Sequence, residues 1–232
     1  MEKTDLTDSI RQQLLSNGAD LVGIGDLTEL PTEARKNMPI GICVAVKYPD
    51  EIIQGIVELP TPEYYEWYDR LNKRLDVLVS FGARIIRQLG YKAIAQTRQE
   101  VGFGEKELHT ALPHKTVATR ASIGWIGKSA LLVTKEYGSM VRLSTILTDA
   151  PLEVDKPVNS SSCGDCMVCT EACPAEAVSG KNWEPGLYRD EFFDPVKCLE
   201  TARERAIRGA GVQQTICGKC IAVCPHTIQA WK

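Results

Sequence analysis

Eight of the nine cysteines in this chain fall in or between two spaced runs near its end, and that spacing constrains the fold more than any other feature. The first run, Cys163-Gly164-Asp165-Cys166-Met167-Val168-Cys169-Thr170-Glu171-Ala172-Cys173-Pro174, reads C-x2-C-x2-C-x3-C-P. The second is shorter. Cys217-Gly218-Lys219-Cys220 leads to Cys224-Pro225, and Cys198 stands alone between the runs. Thiolates packed this closely are the ligands of an iron–sulfur cube. C-x2-C pairs also serve zinc, but a run that closes in C-P is not a usual zinc spacing. The opening residues Met1-Glu2-Lys3-Thr4-Asp5 are polar and no apolar stretch follows them, so no secretory leader is expected. Many cysteines without a leader point to metal ligation in a reducing, cytoplasmic setting rather than to disulfides.

The remaining composition excludes several classes. A chain of 232 residues with 44% hydrophobic and 25% charged residues is an ordinary globular sequence of one or two domains. Its formal net charge of −3 supplies no global basic field for nucleic acid. Apolar runs such as Ile42-Cys43-Val44-Ala45-Val46 are far too short to span a membrane.

Read in order, Leu6, Ile10, Leu14 and Leu15 recur at helical spacing before an Asn17-Gly18 stop. Strands are expected at 21–25 and 41–48, the second apolar on both faces, with Cys43 inside it as a small buried hydrophobe. A long helix should start near Glu63 and end at Gly90, with Gly82 on its buried stripe permitting close approach of another element. Tyr64, Tyr65, Trp67 and Tyr68 either pack in a core or wall a flat cofactor. A strand at 91–96 precedes the loop Val101-Gly102-Phe103-Gly104, a plausible site element. A short helix at 116–121 follows, then strands at 130–134 and 141–147 joined as a hairpin through Tyr137-Gly138. The expected division is an α/β domain with a mixed sheet over 1–150, a linker over 151–162 and a cysteine domain over 163–232.

The cysteine domain resembles two-cluster bacterial ferredoxins, in which the fourth cysteine of a run ligates the other cluster. By that resemblance Cys163, Cys166, Cys169 and Cys224 hold one 4Fe–4S cluster. Cys173, Cys217 and Cys220 hold the second, with Cys198, the remaining cysteine of the region, as its fourth ligand. In the simple repeat that ligand would stand three residues before Cys217. Pro174 and Pro225 suit a first helical turn, where proline sacrifices no hydrogen bond.

The segment Arg120-Ala121-Ser122-Ile123-Gly124-Trp125-Ile126-Gly127-Lys128-Ser129, with Leu131-Leu132 after it, resembles the epoxyqueuosine reductase family. So does the stretch from Gly138-Ser139 to Leu147-Thr148-Asp149-Ala150-Pro151-Leu152, together with the isolated cysteine between the runs. The family's catalytic core is similar to that of respiratory reductive dehalogenases. The resemblance implies a nitroreductase-like α/β domain, two 4Fe–4S clusters and a cobalamin reduced by them. It places Gly124, Trp125, Ile126, Gly127, Lys128 and Ser129 at the organic cofactor. Glycines there allow close approach, Trp125 offers a flat face and Lys128 a charge. The family's aspartate-threonine pair, whose aspartate is the proposed proton donor, is replaced here by His109-Thr110-Ala111, so His109 or His114 is the expected general acid. The implied substrate is small or nucleoside-like, and the electron donor a flavodoxin or ferredoxin. Longer members carry a helical-repeat extension for tRNA. This sequence ends soon after Cys224 and has no basic stripe, which argues against tRNA. Two other readings remain open: a ferredoxin-like electron carrier with no organic cofactor, and a flavin-dependent reductase, although no phosphate-cradling motif is present.

Overall fold

The computed structural model describes residues 3–101 and 108–231. The loop expected at Val101-Gly102-Phe103-Gly104 lies, after its first residue, outside the described residues. The helices are α1 (Lys3–Ser16), α2 (Asp50–Gln54), α3 (Pro62–Gln88), α4 (His114–Arg120), α5 (Val168–Glu171), α6 (Pro195–Ala210), α7 (Lys219–Ala222) and α8 (Pro225–Gln229). The strands are β1 (Leu21–Asp26), β2 (Ile40–Lys47), β3 (Ala93–Ala95), β4 (Trp125–Ile126), β5 (Leu132–Val133) and β6 (Val141–Thr148). They form a mixed α/β architecture with a four-stranded sheet in the order β1-β2-β6-β3 and a two-stranded sheet of β4 and β5. Among the described residues no helix is long and apolar enough to cross a membrane.

The chain divides into two compact units that interleave along the sequence. The first comprises 1–46, 71–123 and 142–158, and the second 47–70, 124–141 and 159–232. In the first, β1 and β2 pair antiparallel from Leu21↔Ala45 to Asp26↔Ile40, and β3 pairs antiparallel with β6. Cys43 is fully buried in β2, as its apolar neighbours imply, and burial pushes its thiol up to about 12. The stripe Leu6, Ile10 and Leu14 buries α1. Gly82 of α3 lets elements meet closely: a Cβ there would stand 2.5 Å from Ile146 Cδ1 on β6 and 3.0 Å from Leu14 Cδ2 on α1. Only hydrogen fits that gap without repacking.

Two expectations are corrected. The strand at 132–133 does not form a hairpin with β6; it pairs with Trp125–Ile126, and an isolated antiparallel bridge between Thr134 and Gly138 lies in its connection to β6. The apolar pair Trp125–Ile126 was too short to register as a strand by periodicity, yet it supplies the partner. The stretch 151–158, expected as a linker, is instead strapped to the first unit. Asp155 N–H donates to Ile24 O at 2.7 Å, and its carboxylate accepts from Ile24 N at 2.7 Å and from Arg11 Nη2 at 3.0 Å. Val158 N–H donates to Thr119 O, and Arg120 donates back to Val158 O, both at 2.8 Å.

The second unit has its own apolar cluster of Ile126, Ala130, Trp183 and Phe192, with Leu187 and Phe193 packed against it. Helix α6 was not expected from sequence. Asp194 caps it, accepting from Val196 N and Lys197 N at 3.0 Å each; Pro195 opens it, and Gly211 closes it in the left-handed conformation at φ 71°. Pro225 opens α8 as expected, whereas Pro174 opens only a turn.

Removing the strap has a measurable cost. Asp155→Ala leaves Ile24 N–H and the Arg11 guanidinium without their partner and should destabilise the chain by about 1–3 kcal/mol. A lowered urea midpoint at constant slope checks this; an unchanged midpoint contradicts the strap.

Candidate functional site

The eight cysteines of the second unit are carried on a repeated local design. Helices α5 and α7 each begin two residues after a cysteine, Cys166 in one run and Cys217 in the other, and each carries a cysteine as its second residue, Cys169 or Cys220. The closing cysteines, Cys173 and Cys224, follow each short helix. Gly218 adopts φ 75°, and a Cβ there would meet Ile56 Cδ1 at 2.3 Å, so a glycine is required at that turn. The second run has no cysteine three residues upstream of Cys217, and α6 brings in Cys198 instead.

Electrostatics reveal which thiols share a neighbourhood. Burial pushes Cys169 up to about 11, and the thiols of Cys163, Cys224 and Cys166 add to that shift. Burial likewise lifts Cys198 to about 11, followed by Cys217, Cys173 and Asp194. Cys220 is raised well above its ordinary value by desolvation first, then by Cys217, Cys198, Cys169 and Cys173. Cys163, Cys166 and Cys224 therefore lie near Cys169, and Cys173, Cys217 and Cys220 near Cys198. The last cysteine of each run, Cys173 or Cys224, lies near thiols outside its own run, as the crossed expectation requires. The interaction of Cys220 with Cys169 makes the groups neighbours.

The donors of this unit are free thiols. Among the described residues no three or more His, Cys, Asp or Glu are placed to hold one metal ion. A cubane takes one thiolate on each iron, so its ligands stand apart at separate corners. Three N–H groups point at ligand sulfurs. Trp125 Nε1–H donates to Cys163 Sγ at 3.5 Å, Ala177 N–H to Cys173 Sγ at 3.4 Å, and Arg205 Nε–H to Cys217 Sγ at 3.1 Å. Thr170 Oγ1, one residue after Cys169, is buried with no partner among the described residues. A cluster sulfide would supply the missing partner.

The segment Gly124–Ser129, expected at the organic cofactor, packs within the second unit. All six residues are buried. A Cβ on Gly124 would strike Val133 O at 2.1 Å, and one on Gly127 would stand 2.8 Å from Val133 Cγ2 and 3.6 Å from Cys163 Sγ. These glycines thus serve the β4–β5 hairpin and the thiol loop. Trp125 turns its N–H to Cys163, and its ring meets His226 edge-on at 5.0 Å. Lys128 is 3% exposed, and the one hydrogen-bond partner of its Nζ among the described residues is Met167 Sδ at 3.6 Å. An ammonium with only a thioether beside it suits an anionic group nearby.

The two histidines lie in the first unit. His109 is exposed, with Nδ1 3.3 Å from Thr110 O. His114 opens α4, and its Nδ1 lies 2.9 Å from Thr145 Oγ1. Desolvation, with Arg142 adding to it and Asp76 opposing, holds its ring down to about 4. His114 is therefore neutral at pH 7.

Sequence reasoning missed Arg205, although a signal existed. It stands seven residues after Cys198 on α6, two turns along the same face, so a ligand at Cys198 places Arg205 beside the same group. It also missed the segment 47–70. Lys219 Nζ donates to Val57 O at 2.7 Å, Arg205 Nη2 donates to Glu58 O, and Tyr64 stacks at 5.4 Å on Tyr48 under Gly218. Tyr64, at least, is a core residue. Nor did the sequence show the open cleft of about 720 Å³ in the first unit, lined by Arg84, Arg87, Arg98 and Asp76, with Arg98 paired to Asp76 at 2.8 Å.

These cysteine groups can now be set beside known proteins. The chain matches no family model. It is 49% identical over 161 residues to an epoxyqueuosine reductase of Listeria monocytogenes, a match covering 69% of this chain and 38% of that protein. The chain is related to the epoxyqueuosine reductases. A reductase of the same name from Lactococcus garvieae is 29% identical over 168 residues, covering 69% of this chain and 42% of that protein. The chain thus spans about two fifths of the length of these curated relatives. In fold it is similar to the catabolic reductive dehalogenase NpRdhA, with a TM-score of 0.75 and 18% identity over 97% of this chain and 32% of that one. It is also similar to an epoxyqueuosine reductase solved with an epoxyqueuosine-modified tRNA stem loop, with a TM-score of 0.63 and 21% identity over 97% of this chain and 66% of that one.

The neutrality of His114 has a pH signature. A depressed folded-state value means the native state resists protonation, so stability is present above the unfolded value near 6.5 and is lost as pH falls toward about 4. The His114 ring should stay neutral below pH 5 in an NMR titration, and His114→Gln should flatten the acid limb of the stability profile; a ring midpoint near 6.5 contradicts this assignment.

Proposed function

We propose that the chain is an iron–sulfur reductase of the epoxyqueuosine reductase type. In this reading it passes electrons through two 4Fe–4S clusters to a cobalamin that reduces a small or nucleoside-like substrate. The observation that carries the reading is the crossed pair of thiol groups, adjoining at Cys169 and Cys220. Cys163, Cys166, Cys169 and Cys224 would hold one cluster, and Cys173, Cys198, Cys217 and Cys220 the other. When bound, such clusters accept and release single electrons.

The residues do the rest of the work. Burial holds the thiols of Cys169, Cys198 and Cys220 protonated when no metal is present, so cluster assembly displaces their protons and is favoured as pH rises. Trp125, Ala177 and Arg205 donate to the ligand sulfurs and orient them. Lys128 places a positive charge beside the Cys166–Cys169 loop through its contact with Met167. The proton for the product is assigned to His109, which takes the place of the aspartate in the resembling family. His114, neutral at pH 7, is left to hydrogen bonding.

Cobalamin rests on kinship, including a fold shared with a dehalogenase described by B12-dependent dehalogenation. The segment Gly124–Ser129 does not fit as its holder within the second unit, because its residues are buried against the hairpin and the thiol loop. No step is therefore routed through it. That placement favours a second reading, an electron carrier without an organic cofactor. A nucleoside-like substrate, free or within tRNA, follows from the relatives' name and from the stem loop bound by one of them. The arginine-lined cleft is the charge such a polyanion would need.

Anaerobically purified protein should contain ~8 Fe per chain and show an absorbance bleached by dithionite. Stoichiometric zinc in place of iron would overturn the cluster assignment. Cob(II)alamin added to the loaded protein should change its spectrum on binding; no binding leaves the electron-carrier reading.

A further inference from the structure

Two hydrogen bonds to ligand sulfurs come from side chains of different charge, one in each thiol group. Arg205 reaches Cys217 with the Nε–H of a guanidinium at 3.1 Å, while Trp125 reaches Cys163 with a neutral indole N–H at 3.5 Å. We infer that this pair sets the reduction potentials of the two clusters apart, with Arg205 raising that of the cluster bound by Cys173, Cys198, Cys217 and Cys220. The inference rests on the cluster reading above.

The physics follows from charge. One electron taken from a reductant adds one negative charge to the thiolate-bound cube, and no bond to a ligand breaks. A donor of fixed positive charge on a ligand sulfur stabilises that added charge more than a neutral donor does, and a charge-assisted bond is about twice as strong as a neutral one. Hydrogen bonds to the sulfurs are a recognised control of cluster potential. Arginine suits this role because its guanidinium keeps its proton at any working pH. The position of Arg205 is also well fixed. Cys198 and Arg205 share a face of α6, Ala202 and Ala206 are buried beside them, and the other arm of the guanidinium donates to Glu58 O. The fork therefore ties the 47–70 segment and the Cys217 sulfur together, so Arg205 is a positioning residue acting through Cys217.

The test is an EPR-monitored redox titration of the cluster-loaded protein, with Arg205→Leu, Arg205→Lys and Trp125→Phe compared with the wild type. Cys198→Ser identifies the signal belonging to the second cluster. Arg205→Leu should lower the midpoint of that signal by roughly a tenfold change in the reduction equilibrium, about 59 mV for one electron, and leave the other signal in place. Arg205→Lys retains the charge without the planar Nε–H; it should lower the same midpoint by a smaller step, and it carries the test if the leucine variant does not assemble. Trp125→Phe should move only the other signal, and by less. Midpoints unmoved by Arg205 substitutions in a protein that contains both clusters overturn the inference. A wild type without iron overturns the cluster reading instead.

Discussion

In a group of partly desolvated thiols, burial first and then the neighbouring thiols oppose the ionisation that Cys169, Cys198 and Cys220 need in order to bind iron. The chain brings two such groups together and lets them adjoin. Charges and dipoles are placed around this unfavourable core: a buried lysine, an arginine on a ligand sulfur, an indole N–H on another, and a backbone N–H on a third. The second unit recruits three separate stretches of chain for this purpose, including the hairpin at 124–141 and the segment at 47–70. Their anchors, Trp125 on Cys163 and Lys219 on Val57, are contacts to the cysteine-bearing loops or made from them.

What was legible in the sequence follows from the range of the physics involved. Thiol spacing is local, so the two runs announced a candidate chemistry, and Cys198, the remaining cysteine of the region and expected as the displaced ligand, does lie near Cys173 and Cys217. Long periodic elements such as α1 and α3 were legible for the same reason. Long-range pairing was not. The partner of Leu132–Val133 is Trp125–Ile126, two residues that carry no period of their own, and the hairpin expected with β6 does not form. The prolines and serines of 151–162 suggested free chain, yet a single carboxylate, Asp155, makes three contacts that tie its first part down. Arg205 was missed because no helix was expected over 195–210, and only the helix gives the seven-residue step from Cys198 its meaning.

Two likenesses point in different directions and divide the problem. Sequence ties the chain to epoxyqueuosine reductases, while the fold aligns with a dehalogenase at a TM-score of 0.75. Shared fold at 18% identity says nothing of substrate. What the solved neighbours have in common with this chain is the fold. In the first unit His114, Arg142 and Asn72 form a polar neighbourhood, and three arginines line a cleft. Gly124 and Gly127, by contrast, lie against Val133, and Gly127 also approaches Cys163.

The crossing of the cysteine runs is the central claim, and one comparison tests it most directly. EPR spectra of the reduced protein would be recorded for Cys173→Ala, Cys217→Ala and Cys163→Ala. The crossed arrangement predicts that Cys173→Ala alters the same cluster signal as Cys217→Ala, although Cys173 lies in the other run. If Cys173→Ala instead reproduces the spectrum of Cys163→Ala, each run closes on its own cluster and the account is wrong.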